Sequence, residues 1–248
     1  MKRGLFVAPF GELCEPALVA ELAAEAEGAG WDGFFVWDHV AYAAPVTHVA
    51  DPWITLAAIA ARTKRVTIGP LVTPLPRRRI HQLARETVTL DRLSGGRLVL
   101  GVGIGSERTG EFDAERFGEE PDLRKRGALL DAGLETLRAY WGGGFEPRPV
   151  NGTIPIWVAV RWPNRKPLRR AARYEGVFPI EQPDPESLTE LVTVVTEMRG
   201  DARGYEIVVT NPAGTDPEPW AAAGATWALT GFGTEPTAAD VRAAIGTL

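Results

Sequence analysis

Gly28-Ala29-Gly30-Trp31-Asp32-Gly33-Phe34-Phe35-Val36-Trp37-Asp38-His39 decides the fold: two glycines stop a helix, a short apolar run follows, and two ionisable side chains end it. A run that is apolar at every position, and not at alternate ones, has the pattern of a strand covered on both faces, as in parallel sheets flanked by helices. Upstream, Leu18, Leu22, Ala26 and Ala29 recur near the 3.6-residue helical period, and Leu5-Phe6-Val7-Ala8 before them reads as an earlier strand. The unit is strand, helix, strand.

The remaining chain repeats that unit. Asp51 predicts a helix N-cap with Pro52 at the first helical position, and the helix continues through Leu56, Ile59 and Ala60. Val66 to Val72 reads as the third strand, Ile80 to Leu93 as a helix stopped by Ser94-Gly95-Gly96, and Leu98 to Gly103 as the fourth strand. A longer helix, Leu123 to Tyr140, leads to the strand Pro155 to Val160. Helices at 165–174, 185–199, 217–223 and 237–245 then alternate with strands Val177 to Ile180, Glu206 to Thr210 and Thr226 to Leu229. About eight of each predict one α/β domain over residues 1–248, a (β/α)8 TIM barrel, because right-handed parallel crossovers in that number close on themselves. The main competitor, a doubly wound open sheet, calls for a phosphate-binding glycine loop opening onto a helix. Gly101-Val102-Gly103-Ile104-Gly105 lacks the G-x-G-x-x-G form and runs into the polar stretch Ser106 to Glu111, so it is a weak nucleotide fingerprint.

Composition narrows the classes. Hydrophobic residues make up 45% of 248 and charged residues 24%, enough for a large core and a soluble surface. The formal charge of −5 argues against a general nucleic-acid binder. No apolar run reaches the roughly 20 residues that span a bilayer, and Lys2-Arg3 runs straight into a strand without a small-residue cleavage site. A cytoplasmic protein without membrane partners is the expectation. Cys14 is the single cysteine, which rules out an internal disulfide, and His48 and His81 have no spacing that would join His39 in a metal site, so no metal is expected.

In a barrel, chemistry belongs at the C-terminal ends of the strands. That rule selects Ala8-Pro9-Phe10, Asp38-His39, Leu71-Val72-Thr73, Gly103-Ile104-Gly105-Ser106-Glu107, Arg161, Phe178 to Ile180, Asn211 and Gly231-Phe232. The His39 imidazole can hold or transfer a proton near neutral pH, while Asp38 serves equally as a loop cap and His39 as a packed spacer. Glycines 101, 103 and 105 leave room for a flat ring or a phosphate beside the backbone, or simply for a tight turn. Arg161, Asn164, Arg165 and Lys166 gather cations and helix-start amides fit for an anionic group, or form a solvated helix start. Of Arg77-Arg78-Arg79, one or two are expected to face the site. Phe178, Ile180 and Phe232 are candidates for a substrate wall or for rim packing.

The sequence resembles the luciferase-like monooxygenase superfamily. The residues that carry the resemblance are Ala29 through His39, Asp51-Pro52-Trp53 with Leu56 to Ala60, Leu83-Ala84-Arg85-Glu86, and Leu93 through Gly103. It implies a (β/α)8 barrel using reduced FMN or the deazaflavin coenzyme F-420, with His39 beside the cofactor ring in proton handling. It also implies a bulge at the third strand with a non-prolyl cis peptide at Leu71-Val72 pressed against the ring. Asp38, Gly103, Ile104, Gly105 and Ser106 would line the cofactor, and Ala159, Val160 and Arg161, with Asn164 and Arg165, would bound its phosphate-bearing tail. Deazaflavin-dependent sugar-phosphate dehydrogenases of the superfamily carry an acid directly after the second glycine of the G-x-G pair. Here Ser106 follows Gly105 and the candidate acid, Glu107, comes one residue later. The expected activity is oxidoreduction of a small organic substrate, by monooxygenation with reduced flavin or, alternatively, by hydride transfer with the deazaflavin. A non-catalytic flavin carrier and a barrel isomerase or lyase are the rivals from other classes. The chain is short for the superfamily, so its pocket is expected to be open or completed by a partner subunit in a homodimer.

Overall fold

The computed structural model describes residues 1–247. Nine strands form one parallel sheet: β1 (Lys2–Val7), β2 (Gly33–Val36), β3 (Thr67–Pro70), β4 (Thr73–Pro74), β5 (Leu100–Gly103), β6 (Ile156–Val160), β7 (Gly176–Pro179), β8 (Glu206–Pro212) and β9 (Trp227–Gly231). Their order is β3-β2-β1-β9-β8-β7-β6-β5-β4. Between them run α1 (Pro16–Ala29), α2 (Pro52–Arg62), α3 (Ile80–Ser94), α4 (Ala114–Phe117), α5 (Leu123–Ala139), α6 (Arg165–Ala171), α7 (Pro185–Arg199) and α8 (Glu218–Ala222), with α9 (Ala238–Ile245) last. The expected barrel is present. None of the described helices is long and apolar enough to cross a membrane.

The one departure in the strand count has a structural reason. The predicted third strand is two short ones, because the chain changes partner at a cis Leu71-Val72 peptide. Before it, β3 pairs with β2, and after it β4 pairs with β5, in the register Thr73↔Val102. Ile68 N–H donates to Arg97 O at 3.1 Å and Val99 N–H to Ile68 O at 2.9 Å, which brings the first half against the approach to β5 and closes the ring.

The local signals act as their chemistry requires. Asp51 accepts from Ile54 N–H at 2.9 Å ahead of Pro52, so α2 starts where its cap is. Gly30 takes a left-handed conformation (φ 99°) that ends α1 and turns the chain into β2.

The opening apolar run is explained by two cores. Phe34 and Val36 pack outward against the helices, whereas Phe35 points into the barrel with Phe6, Leu71, Val99, Trp157, Phe178, Val208, Trp227 and Leu229. Phe35 lies 5.5 Å from Trp157 and 5.6 Å from Trp227, centroid to centroid, and fills the barrel axis. Such aromatic pairs contribute about 1 kcal/mol each beyond area burial. The filled axis makes the barrel a solid base, and its C-terminal rim carries the site.

Candidate active site at the barrel mouth

His39 leaves the end of β2, and the structure gives it a carboxylate partner. Its Nδ1 lies 2.6 Å from Glu111 Oε2, with Glu111 side-chain exposure only 1%. Burial alone would raise the Glu111 pKa, but the hydrogen bond and charge of His39, the Arg77 guanidinium and the Val40 N–H together hold it below the usual carboxylate range. An ionised carboxylate only accepts, so Nδ1 carries the proton and Nε2 is the imidazole atom left for chemistry.

A buried ionic lattice fixes that pair. Arg77 donates to Glu111 Oε1 at 2.7 Å and to Asp38 Oδ1 at 2.6 Å, and Arg78 donates to both Asp38 oxygens at 2.8 Å. Asp38 accepts further from Thr73 Oγ1 at 2.7 Å and Trp53 Nε1 at 3.2 Å. Thr109 Oγ1 and Val40 N–H complete the shell of Glu111 at 3.0 and 2.7 Å. Four segments (38–40, 53, 73–78 and 109–111) are thereby bound to one another, so the imidazole has a fixed heading. Arg77 and Arg78 face inward and Arg79 is exposed.

Beside this lattice lies a dish of small residues. A Cβ built on Gly103 would sit 2.9 Å from Val72 and 3.5 Å from Ala159, so Val72, Gly103 and Ala159 form one surface where even a methyl group is crowded. Ala159 is in register with Phe178 on β7. From there the aromatic rings continue, Phe178 to Phe6 at 5.8 Å, Phe6 to Trp37 at 5.6 Å and Trp37 to His39 at 5.8 Å. An apolar, aromatic-lined floor of mutually tilted rings therefore runs from the cis Leu71-Val72 segment round to the imidazole, the kind of lining that small-molecule and cofactor sites use.

Behind the turn after β5, Arg126 from α5 has no exposed side-chain surface, and its Nε has no partner, as is also true of Arg77 and Arg78 Nε. Arg126 Nη1 donates to Ile104 O at 3.2 Å, its guanidinium stacks on Phe112 at 4.0 Å, and Glu107 lies 3.4 Å from Nη2. Gly105 (φ 78°) permits this arrangement, since a Cβ there would fall 2.0 Å from the Phe112 ring. Glu107, Glu120 and Asp122 lie near enough to interact with this guanidinium, so Arg126 braces the Gly103–Gly105 turn from within the fold.

The sequence candidates separate accordingly. Val72, Gly103 and Ala159 come together, Leu71, Phe178 and Ile180 pack in or against the interior cluster beneath them, and Val160 is buried in the outer core. Asp38 is wholly occupied by protein donors. Ser106 Oγ accepts from Arg108 N–H at 3.2 Å, and Glu107 is 64% exposed and lies 3.4 Å from Arg126. Arg161 pairs with Glu181, while Asn164 and Arg165 are exposed, the latter 4.9 Å from the Trp162 ring. Phe232 packs against the outer core. Sequence reasoning missed Glu111 and Arg126. Their only signal was an acid in the polar stretch after β5 and a basic residue in the first turns of α5, and neither spacing singles them out.

A parallel α/β barrel with a carboxylate-anchored imidazole, a cis-peptide bulge and a glycine-walled dish at its mouth defines a class of ring-cofactor barrels. The chain belongs to the luciferase-like monooxygenase family, whose family model matches residues 9–209. It is 33% identical over 156 residues to a phthiodiolone/phenolphthiodiolone dimycocerosates ketoreductase of Mycobacterium sp. (strain JLS), covering 54% of this chain and 38% of that protein. It is 32% identical over 180 residues to an F420-dependent glucose-6-phosphate dehydrogenase of Nocardia farcinica, covering 66% of this chain and 50% of that one. The chain thus spans half or less of the length of these curated relatives. An F420-dependent secondary alcohol dehydrogenase, solved with an F420-acetone adduct, superposes with a TM-score of 0.79 at 17% identity, over 98% of this chain and 96% of that one.

Proposed function

We propose that the chain is an oxidoreductase that binds a deazaflavin or flavin across the barrel mouth and exchanges a hydride with a small organic substrate. The observation that carries this reading is the His39–Glu111 pair at the edge of the Val72–Gly103–Ala159 dish. When bound, such a cofactor supplies or accepts the hydride. The protein's share is the proton and the geometry. His39, with Nδ1 committed to Glu111, holds or takes a proton at Nε2 as the substrate's oxygen changes charge. Val72, Gly103 and Ala159 seat the ring, Phe6 and Phe178 keep water from beneath it, and Arg161 with Arg165 holds the anionic tail.

The deazaflavin is preferred over FMN. Two guanidiniums that solvent reaches on the tail side, Arg161 and Arg165, suit a tail with more than one charge. The end-to-end match with the F420-dependent alcohol dehydrogenase supports the same choice. Monooxygenation with reduced FMN is the second reading, favoured by the description of the matching family. Glu111, in place of Glu107, is the proposed acid partner of the site. A small-molecule substrate, a cytoplasmic location and a homodimer belong to the same reading, the last checked by light scattering.

Absorbance and fluorescence titrations with the deazaflavin and with FMN test it, and binding of the deazaflavin with the higher affinity is expected. His39→Ala should leave that binding within a few-fold and lower kcat about 100-fold or more, the range for loss of a general acid–base group. Full turnover by His39→Ala, or binding of neither cofactor, overturns the reading.

A further inference from the structure

We infer that the groove between α2 and α3 seats a second copy of this chain, and that the contact completes the His39 site by drying the Arg78–Asp38 pair behind it. This names the face of the proposed homodimer and rests on that part of the reading alone.

The groove encloses about 420 Å³ on the helical layer of the barrel. Trp53 and Leu90 lie deepest in it, 7 and 5% exposed, while Ile54 and Leu93 keep 65 and 52% of their surface in water. Ile54 and Ala57 are three residues apart on α2, and Glu86, Leu90 and Leu93 follow at steps of four and three on α3, so each helix turns one face to the groove. Two large aliphatic side chains held in water on adjacent helices gain from a cover, about tenfold in association for each one buried.

The charges on the rim identify the cover. Arg85 and Glu86 are consecutive on α3, and both line the groove. Arg85 donates to Glu146 O and lies 4.1 Å from the Phe145 ring, and Glu86 Oε2 has no partner, so neither meets an opposite charge among the described residues. A two-fold contact is self-complementary: Arg85 of each copy faces Glu86 of the other, and both pairs form at once. A partner of one sign would satisfy one of these residues and repel the other.

The inner wall of the groove belongs to the site. Arg78, which lines the groove, donates to both Asp38 oxygens at 2.8 Å, and Trp53 Nε1 donates to the same carboxylate at 3.2 Å. Arg78 keeps 19% of its side chain exposed, against 5% for Arg77 and 0% for Asp38, so of these three it is the one that water reaches. A second copy that excludes this water strengthens the Arg78–Asp38 attraction. Asp38 in turn holds Arg77, which holds Glu111 and through it His39.

Light scattering and sedimentation of the full chain test the face. The wild type should run at twice the 26.8 kDa of one chain. Ile54→Asp combined with Leu93→Asp should weaken association at least about 100-fold and give a monomer with wild-type circular dichroism. Leu129→Asp, at a similarly exposed leucine on α5, should leave the dimer whole. Arg85→Glu and Glu86→Arg should each weaken the dimer about tenfold, and the two together should restore it. The link to the site is read by NMR without cofactor: exchange of the Val40 amide, bonded to Glu111, should quicken about fivefold or more in the monomeric variant. A wild-type monomer overturns the homodimer and this face together. A dimer that survives Ile54→Asp with Leu93→Asp, or one not rescued by the paired charge exchange, overturns the face alone. A monomer whose Val40 amide exchanges as slowly as in the dimer overturns the link to His39. Failure of both cofactors to bind, with the dimer behaving as stated, would overturn the redox reading and leave this contact standing.

Discussion

Two sets of arginine–carboxylate pairs stand at the barrel mouth, alike in chemistry and opposite in burial. Around His39, the side chains of Asp38, Glu111 and Arg77 are 0, 1 and 5% exposed. In the second set, Arg161, Glu181 and Arg108 are 42, 58 and 79% exposed. Buried charges cannot separate without leaving an uncompensated ion in a medium of low polarity, so the first set acts as a rigid part. Exposed charges have water as an alternative partner, so the second set is weak and exchangeable. The first set holds the His39 imidazole still, and the second can exchange its ion pairs with solvent.

The largest effect expected from this contrast follows removal of a buried carboxylate. Glu111→Ala strips Arg77, His39, Val40 N–H and Thr109 of their shared acceptor, and loss of about 3 kcal/mol or more of folding stability is expected from urea unfolding. Arg161→Ala, measured alongside, should cost less than about 1 kcal/mol. Equal losses would mean that the two sides do not differ as described.

Acidification sharpens the same comparison. The fold holds the Glu111 pKa below its ordinary value, so its ionised form is favoured by folding. That contribution is complete above the titration of an unfolded carboxyl group and is lost as pH falls through the lower, folded value. Melting temperatures measured downward from pH 6 should therefore decline more steeply for the wild type than for Glu111→Gln, with the gap between them narrowing in acid. A gap that widens in acid would contradict the assigned direction.

The same contrast separates what was legible in the sequence from what was not. Phe34 and Phe35 revealed the barrel because burial on both faces writes itself into consecutive residues, and Asp51-Pro52 marked a helix start because a cap acts over three residues. His39 was legible as a strand-end residue. Glu111 was not, since its partnership joins positions 72 apart in the chain and depends on how the loop after β5 folds over Arg77. Glu107 was the nearer acid in the motif, but the turn at Gly105 and the Phe112–Arg126 stack send it outward. Arg126 reads as one base in a charged helix start until the fold buries it. Local rules operate over a few residues, and tertiary ion pairs leave no such trace.

The smallest effect expected is also the most specific to the exchangeable side. Glu181 is the one non-glycine residue with positive φ (57°) among those described, and its carboxylate bonds to Arg161 and lies 3.4 Å from Arg108. An anionic tail must displace that carboxylate to reach Arg161, so in Glu181→Gln the guanidinium is free at the outset. Deazaflavin affinity should rise about three- to fivefold at low ionic strength, an increment of the size exposed pairs command, with folding stability moving by no more than about 0.5 kcal/mol. At about 0.5 M salt, where screening shortens the reach of exposed charges to a few ångströms, the gain should vanish. A gain that persists in salt would point to a rearranged loop and not a released charge, and no gain at low salt would place the tail away from Arg161. Either result would leave the His39 lattice intact and dissolve the functional contrast between the buried and the exposed ion pairs.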